Sequence, residues 1–420
     1  MTIAGHKNND RLKISQFVLS LIAFLLTLIA TVGFFAGGSV LKPYLNSDNQ
    51  TSSFFISMGS VNALLSVIHG YSLWYALKKP KEPRQSAFKK IPSFTWASIA
   101  LLCLAVFCLL QLLAGVQRFF SPLYAFLTPL AIAIPLWWFV EFGKRKLPAI
   151  SARKISGALS VGSSYTMLFI LFLEIVFIAF ILAAALLYLS SQPPVQQVMK
   201  SFSFPADLAQ IDLPFLERYL RVILQEPLLV LGIFLVIGFI LPFIEESMKP
   251  ITLWALRNRS LLASDGFVLG LYFGAAFALV ESTLAISQLG SEIWVESIAL
   301  RAATSLIHIT CSGLVGFGYA TSMQSQKREE SPRPFLTAVF LHGLWNSLAL
   351  LSSSRLITTT LNITLALPEI YDILFPAALV IEWIATLLLL SRMNKELQQN
   401  IHPPEHNEFN DLSVHTNDVE

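Results

Sequence analysis

Long apolar runs recur along the whole chain, separated by short polar connections. A helix of about 20 apolar residues crosses a hydrocarbon core about 30 Å thick, and only helices and closed barrels satisfy their backbone there. Barrel strands would alternate apolar and polar positions. These runs are continuous, so they predict helices. The pattern predicts ten spans, at 15–37, 54–76, 93–117, 123–142, 164–190, 227–248, 265–288, 298–322, 335–353 and 372–391. The fold class is therefore all-α, a polytopic transmembrane helical bundle. The first run follows a basic start (Lys7, Arg11, Lys13) but is too long for a signal-peptide core and has no small-residue exit, so it reads as a retained span.

Charge placement orients the bundle. One alternating set of connections carries Lys78, Lys79, Lys81, Arg84, Lys89 and Lys90, then Lys144, Arg145, Lys146, Arg153 and Lys154. The same set continues with Arg257 and Arg259, with Lys327, Arg328 and Arg333, and with Arg392 and Lys395. The positive-inside rule puts that set, and both termini, in the cytoplasm. Composition agrees: 55% of residues are hydrophobic and only 13% charged, too few charges to wet a soluble surface of this size. Cys103, Cys108 and Cys311 lie in apolar runs without metal or redox spacing and read as small core residues. The stretch from Leu213 to Leu224, inside the long connection 191–226, has the pattern of an amphipathic surface helix. The tail after Asn400 is polar and expected to be disordered. No repeat relates the two halves, which weighs against a transporter built on internal symmetry.

Ionisable residues inside spans are costly, and each is a functional hypothesis. Glu174, Glu382 and His69 each stand alone in a span and read as neutral, hydrogen-bonded groups between helices. Spans six to nine differ. The sixth ends in Glu245-Glu246-Ser247-Met248-Lys249-Pro250, where Glu245 and Lys249 have ion-pair spacing and Pro250 is expected to stop the helix. Adjacent carboxylates point about 100° apart on a helix, so only one is expected to face a site squarely. The seventh span sets Glu281 in a Gly/Ala-rich stretch suited to close helix approach, the eighth holds His308, and the ninth holds His342 and Asn346 on one face. Isolated, each has a bland reading. Together they neutralise one another only by converging, and convergent Glu and His side chains bind a divalent metal or activate a water. As drawn, Glu245 lies near one end of its span and Glu281 and His308 nearer the other side, a depth difference of about 15 Å at the helical rise.

These residues, Glu245-Glu246-Ser247-Met248-Lys249, Phe277 with Glu281, His308, and His342 with Asn346, resemble the PrsW family of intramembrane proteases, distant relatives of the CAAX-prenyl endopeptidases. The resemblance covers roughly 230–350. It implies hydrolysis of peptide bonds in membrane-anchored proteins, an anti-sigma factor in bacterial members. It makes Glu245 the general base with Glu246 as alternative, and Glu281, His308 and His342 metal ligands or water-orienting groups. Asn346 would stabilise the oxyanion or orient the site, and Lys249 would set the charge state of the glutamates. The implied cofactor is a divalent metal, zinc by expectation. The implied partners are a membrane-anchored protein substrate and the lipid bilayer, without nucleic acid, in a bacterial inner membrane. The chain then divides into a four-span accessory region (1–160), a six-span PrsW-like catalytic core (161–392) and a polar cytoplasmic tail (393–420). The alternative is an ion- or proton-coupled transporter or channel, which would scatter its carboxylates along the depth of several helices.

Overall fold

Ten helices run through a computed structural model that describes residues 3–41, 49–78, 92–114, 121–191, 227–256, 261–288, 293–324, 332–360 and 368–401. They are α1 (Ile3–Leu41), α2 (Asn49–Leu77), α3 (Ser93–Ala114), α4 (Ser121–Gly143), α5 (152–191), α6 (227–256), α7 (Ala263–Ser287), α8 (Trp294–Gln324), α9 (Arg333–Thr360) and α10 (Tyr371–Ile401). Each contains a stretch long and apolar enough to cross a membrane. No strand occurs among the described residues. The expected helix at 213–224 and the tail from 402 lie outside them.

Burial divides the bundle into a core and a rim. Helices α7 and α8 bury 78% and 72% of their apolar windows, against 6% for α3 and for α5. Ile29, Leu113, Phe180, Leu187, Ile373 and Leu388 all face outward. An exposed apolar girdle of that extent is stable against lipid tails and not against water.

Lipid supplies no hydrophobic drive between helices, so small residues and polar contacts must hold them together. Along α7, Gly266, Gly270 and Gly274 recur every four residues and meet the backbone of α8 at Gly316, Ser312 and His308. A Cβ on Gly270 would sit 2.9 Å from Gly313 Cα, and one on Gly274 would sit 2.8 Å from Ile309 Cα. The first two helices are fastened to α5 by polar side chains instead. Ser20 Oγ donates to Ser72 Oγ (2.8 Å), and His69 Nδ1 lies 2.8 Å from Ser160 Oγ.

Several basic connections gather at one end of the bundle. Lys154 pairs with Asp265 in the first turn of α7 (3.1 Å), and Gln324 Nε2 donates to Leu261 O (2.7 Å). Asn394 Nδ2 donates to Gly143 O and Arg145 O at 2.7 and 2.9 Å. That last anchor corrects the expected end of the tenth span near 391: Met393 and Leu397 are buried, and the helix continues to Ile401.

Two helices change their winding. A π turn at Gly162–Thr166 brings Gly162 against Phe273 and Ala276 of α7. In α6, a π turn at Val236–Ile240 is followed by α-helix to Met248 and a tight 3-10 segment, Lys249–Leu256. The α-helix ends at Met248, just before Pro250 as expected, but the chain continues as a 3-10 helix rather than leaving helical winding. Proline has no N–H and its ring clashes with the preceding turn, and the chain relieves both by tightening its winding. At about 2.0 Å per residue, eight 3-10 residues add roughly 16 Å of rise beyond Met248. The depth difference expected between Glu245 and Glu281 is corrected, because both reach His308, from its two ring nitrogens.

Candidate active site

Four helices carry the ionisable residues inward. On α6, Glu246 and Lys249 are fully buried and Glu245 nearly so, while His308 of α8 and His342 of α9 are buried beside them. The Lys249 ammonium is the hub. Its Nζ lies 2.8 Å from Glu245 Oε2, 2.7 Å from Glu246 Oε1 and 2.9 Å from His308 Nδ1, and 4.1 Å above the Phe277 ring. Only one of the adjacent glutamates was expected to face the site. Both do, because Lys249 is four residues from one and three from the other, and both spacings bring side chains together on a helix.

The two glutamates are held differently. Glu246 accepts from Lys249 through Oε1, from Ser312 Oγ (3.3 Å) through Oε2, and lies 3.0 Å from His342 Nδ1. Glu245 keeps 10% of its side chain exposed, and its Oε2, though close to the ammonium, is off the hydrogen-bonding line. That oxygen is 3.8 Å from both His342 Nε2 and His308 Nδ1. The contacts assign the tautomers. An ammonium donating to His308 Nδ1 leaves that ring's proton on Nε2, and a carboxylate facing His342 Nδ1 places a proton there, so His342 Nε2 presents a lone pair toward Glu245.

Glu281 stands on the far side of His308. Its Oε2 lies 2.7 Å from His308 Nε2, without hydrogen-bond alignment, and its Oε1 is 2.6 Å from Arg301 Nη2. Arg301 is fixed in turn by Ser282 Oγ, 3.1 Å from its Nε. The α7–α8 glycine contact sets this register: Gly274, Phe277 and Glu281 share one face of α7 and meet the His308 carbonyl, ring and Nε2 in turn. Asn346 reaches away from the cluster. Its Nδ2 donates to Ile237 O in the π turn of α6 (3.3 Å), where Gly343 and Gly238 touch backbone to backbone.

Glu245, Glu246, His308 and His342 each offer one ligand atom within 4.8 Å of the others. Two carboxylates and two imidazoles are a donor set that zinc and similar divalent ions accept. The residues fit such an ion, and Glu281 lies outside that group.

Three further neighbours complete the site: Ser312, not singled out from the sequence, and Arg301 and Glu174, given no role there. Ser312 was detectable as the residue four after His308. Arg301 sits seven residues before His308, and nothing in spacing alone pairs it with Glu281. Glu174, read as an isolated carboxyl, lies one turn beyond Ile170, which shares a buried cluster with Phe277, and is within electrostatic reach of Glu245, Lys249 and Glu281. An apolar cleft of about 280 Å³ lies between α6 and α9, lined by Gly238, Phe239, Val339, Phe340, Gly343 and Ser347 among others.

Residues 193–371 match the family model of the PrsW family intramembrane metalloproteases. The matched segment contains every residue of the cluster contributed by α6 to α9. No curated protein and no solved structure matches the chain. The ten apolar helices make this an integral, multi-pass membrane protein, and its segment 193–371 is similar to the PrsW family of intramembrane metalloproteases. With the buried Glu/Glu/His/His group, the match points to a divalent metal.

Proposed function

We propose that this chain is an intramembrane endopeptidase in which Glu245 is the general base. The observation that carries the reading is the contrast within the glutamate pair. Glu246 is saturated by Lys249, His342 and Ser312, whereas Glu245 Oε2 has the Lys249 ammonium beside it at 2.8 Å and makes no aligned hydrogen bond. Glu245 Oε2 lies 3.8 Å from both His342 Nε2 and His308 Nδ1, beside the residues that would hold the ion and its water. Glu245 would take a proton from that water as it attacks the peptide carbonyl and deliver it to the departing amine.

Glu246, His308 and His342 are the residues we assign to hold the metal, zinc by expectation, leaving Glu245 free for proton transfer. When bound there, the ion supplies Lewis-acid polarisation of water and carbonyl. Glu281 then acts on His308 from its opposite nitrogen, as a carboxylate orienting a ligand histidine. Asn346 supports the site through α6 and does not reach the oxyanion. An apolar segment of a membrane-anchored substrate would enter along the α6–α9 cleft.

On this reading 1–160 is accessory, 161–392 is the catalytic core and the basic end of the bundle, with both termini, is cytoplasmic. The family resemblance adds a bacterial inner membrane and a substrate like an anti-sigma factor. A transporter would distribute acids along a path through the bilayer, and the convergence of Glu245, Glu246 and Glu281 around two histidines favours the protease.

Cleavage of a single-span substrate in a reconstituted bilayer tests this. Glu245→Gln is expected to lower the rate by about 10²–10⁴-fold, with the folded fraction checked by thermal unfolding because the substitution also removes a partner of the buried Lys249. Cleavage by Glu245→Gln at the wild-type rate would refute the assignment.

A further inference from the structure

We propose that Lys249 competes with the divalent cation for the same atoms, so that metal uptake and withdrawal of its ammonium are one exchange. The inference rests on the metal reading above. Nζ lies within 2.7–2.9 Å of Glu246 Oε1, Glu245 Oε2 and His308 Nδ1. Metal–ligand bonds to carboxylate oxygen and imidazole nitrogen are about 2.0–2.2 Å. Two of the ammonium's contacts are to Glu246 and His308, the residues assigned above to hold the ion, and His308 Nδ1 has a single lone pair, which either accepts from the ammonium or would ligate the metal. Two cations do not share that lone pair, so the ammonium leaves when the ion arrives.

The ammonium has somewhere to go. It is fully buried and cannot simply move into lipid without an acid. Ile170 and Glu174 are one turn apart on α5, as Phe277 and Glu281 are on α7, and Met167, Ile170 and Phe277, the ring over which Lys249 lies, form one buried cluster. Glu174 is thus the next carboxylate along the wall of the site, within electrostatic reach of Lys249. The four-carbon lysine stem reorients while its backbone stays fixed. Lys249 therefore has two seats: Glu246 with His308, and Glu174. The first closes the metal position and the second opens it.

A lysine that merely orients the glutamates beside a resident metal would support binding, and its removal would weaken affinity. A competitor does the opposite. Zn²⁺ affinity of the full-length protein in detergent, measured by dialysis against chelator-buffered zinc, separates them. Lys249→Met is expected to bind Zn²⁺ more tightly, on the order of tenfold, and to melt at a lower temperature in excess chelator. Lys249→Gln carries the same expectation should the methionine variant not fold. Glu174→Gln is expected to weaken Zn²⁺ binding in the wild-type background and to have no effect in Lys249→Met. Affinity equal to or weaker than wild type in both lysine variants overturns the exchange. An equal effect of Glu174→Gln in both backgrounds overturns Glu174 as the second seat. Absence of Zn²⁺ binding in every protein, with cleavage insensitive to chelator, removes the metal reading and the inference together.

Discussion

Gly274→Ala is the sharpest test of how the fold sets the site. The added methyl would collide with the His308 carbonyl and sit 2.8 Å from Ile309 Cα. Carbon–carbon contacts are comfortable at about 3.5–4.0 Å, and both obstacles are backbone, so relief requires α7 and α8 to separate by about 1 Å. Overpacking of this kind costs about 1–3 kcal/mol. The separation falls at the residue pair that places His308 against Glu281 and Phe277, and misplacement of about 1 Å costs on the order of 10²-fold in rate. Two controls grade the effect. At Gly313 the new methyl would meet only the Leu271 and Phe267 side chains, which can yield, and at Gly232 nothing lies within 4 Å. Rates in a reconstituted bilayer, paired with thermal unfolding in detergent, are expected to rank Gly232→Ala near wild type, Gly313→Ala intermediate and Gly274→Ala lowest. Gly232→Ala gains roughly 0.5–1 kcal/mol of stability from helix propensity. Gly274→Ala cleaving as fast as Gly232→Ala would refute the claim that backbone contact between α7 and α8 positions His308.

Arg301→Gln is expected to lower stability by on the order of 1 kcal/mol, a modest figure because Glu281 remains about a third exposed. A double-mutant cycle with Glu281→Gln should show non-additive losses in unfolding free energy, and strict additivity would dissolve the proposed pair. Leu336→Trp, at an exposed position of the α6–α9 cleft, is expected to slow cleavage of a membrane-spanning substrate while leaving Zn²⁺ affinity unchanged. Cleavage at the wild-type rate would show that substrate enters elsewhere.

The sequence disclosed the ten helices because a bilayer imposes a length on every apolar run, and charge marked the connections between them. The helices that carry the site were equally legible: an ionisable group in lipid has few explanations, so Glu245, Glu246, Glu281, His308 and His342 stood out against apolar surroundings. What stayed hidden depends on contacts between helices. Glu174 has no neighbouring signal, and only the buried cluster of Met167, Ile170 and Phe277 ties its helix to the site. Arg301 looks like an ordinary span residue until the α7–α8 register sets it beside Glu281. Gly343, an unremarked neighbour of His342, proves to be the point where α9 touches the α6 backbone. Pro250 was half legible. The α-helix ends at Met248, as local rules expect, but the buried ion pairs of Lys249 and the buried Leu253 accompany a 3-10 continuation to Leu256 that spacing alone did not show. Glu245 and Glu281 reach the same histidine, His308, from its two ring nitrogens.

The charge inventory of the cluster explains why a lysine belongs at its centre. Glu245, Glu246 and Glu281 contribute three negative charges, Lys249 and Arg301 two positive ones, and the histidines serve as neutral donors and acceptors. One net negative charge remains. A buried excess of that kind is unfavourable, and removing one partner of a buried pair is worse still. Replacing the ammonium by a divalent ion brings the same groups to neutrality, so the site with lysine seated is under-compensated by one charge and draws a divalent cation in. Conversely, without Lys249 and without metal, three carboxylates would face a single arginine. The lysine thus keeps the helices assembled before metal arrives, and its hold on Glu246 is strong enough to fold the site yet incomplete enough to be displaced.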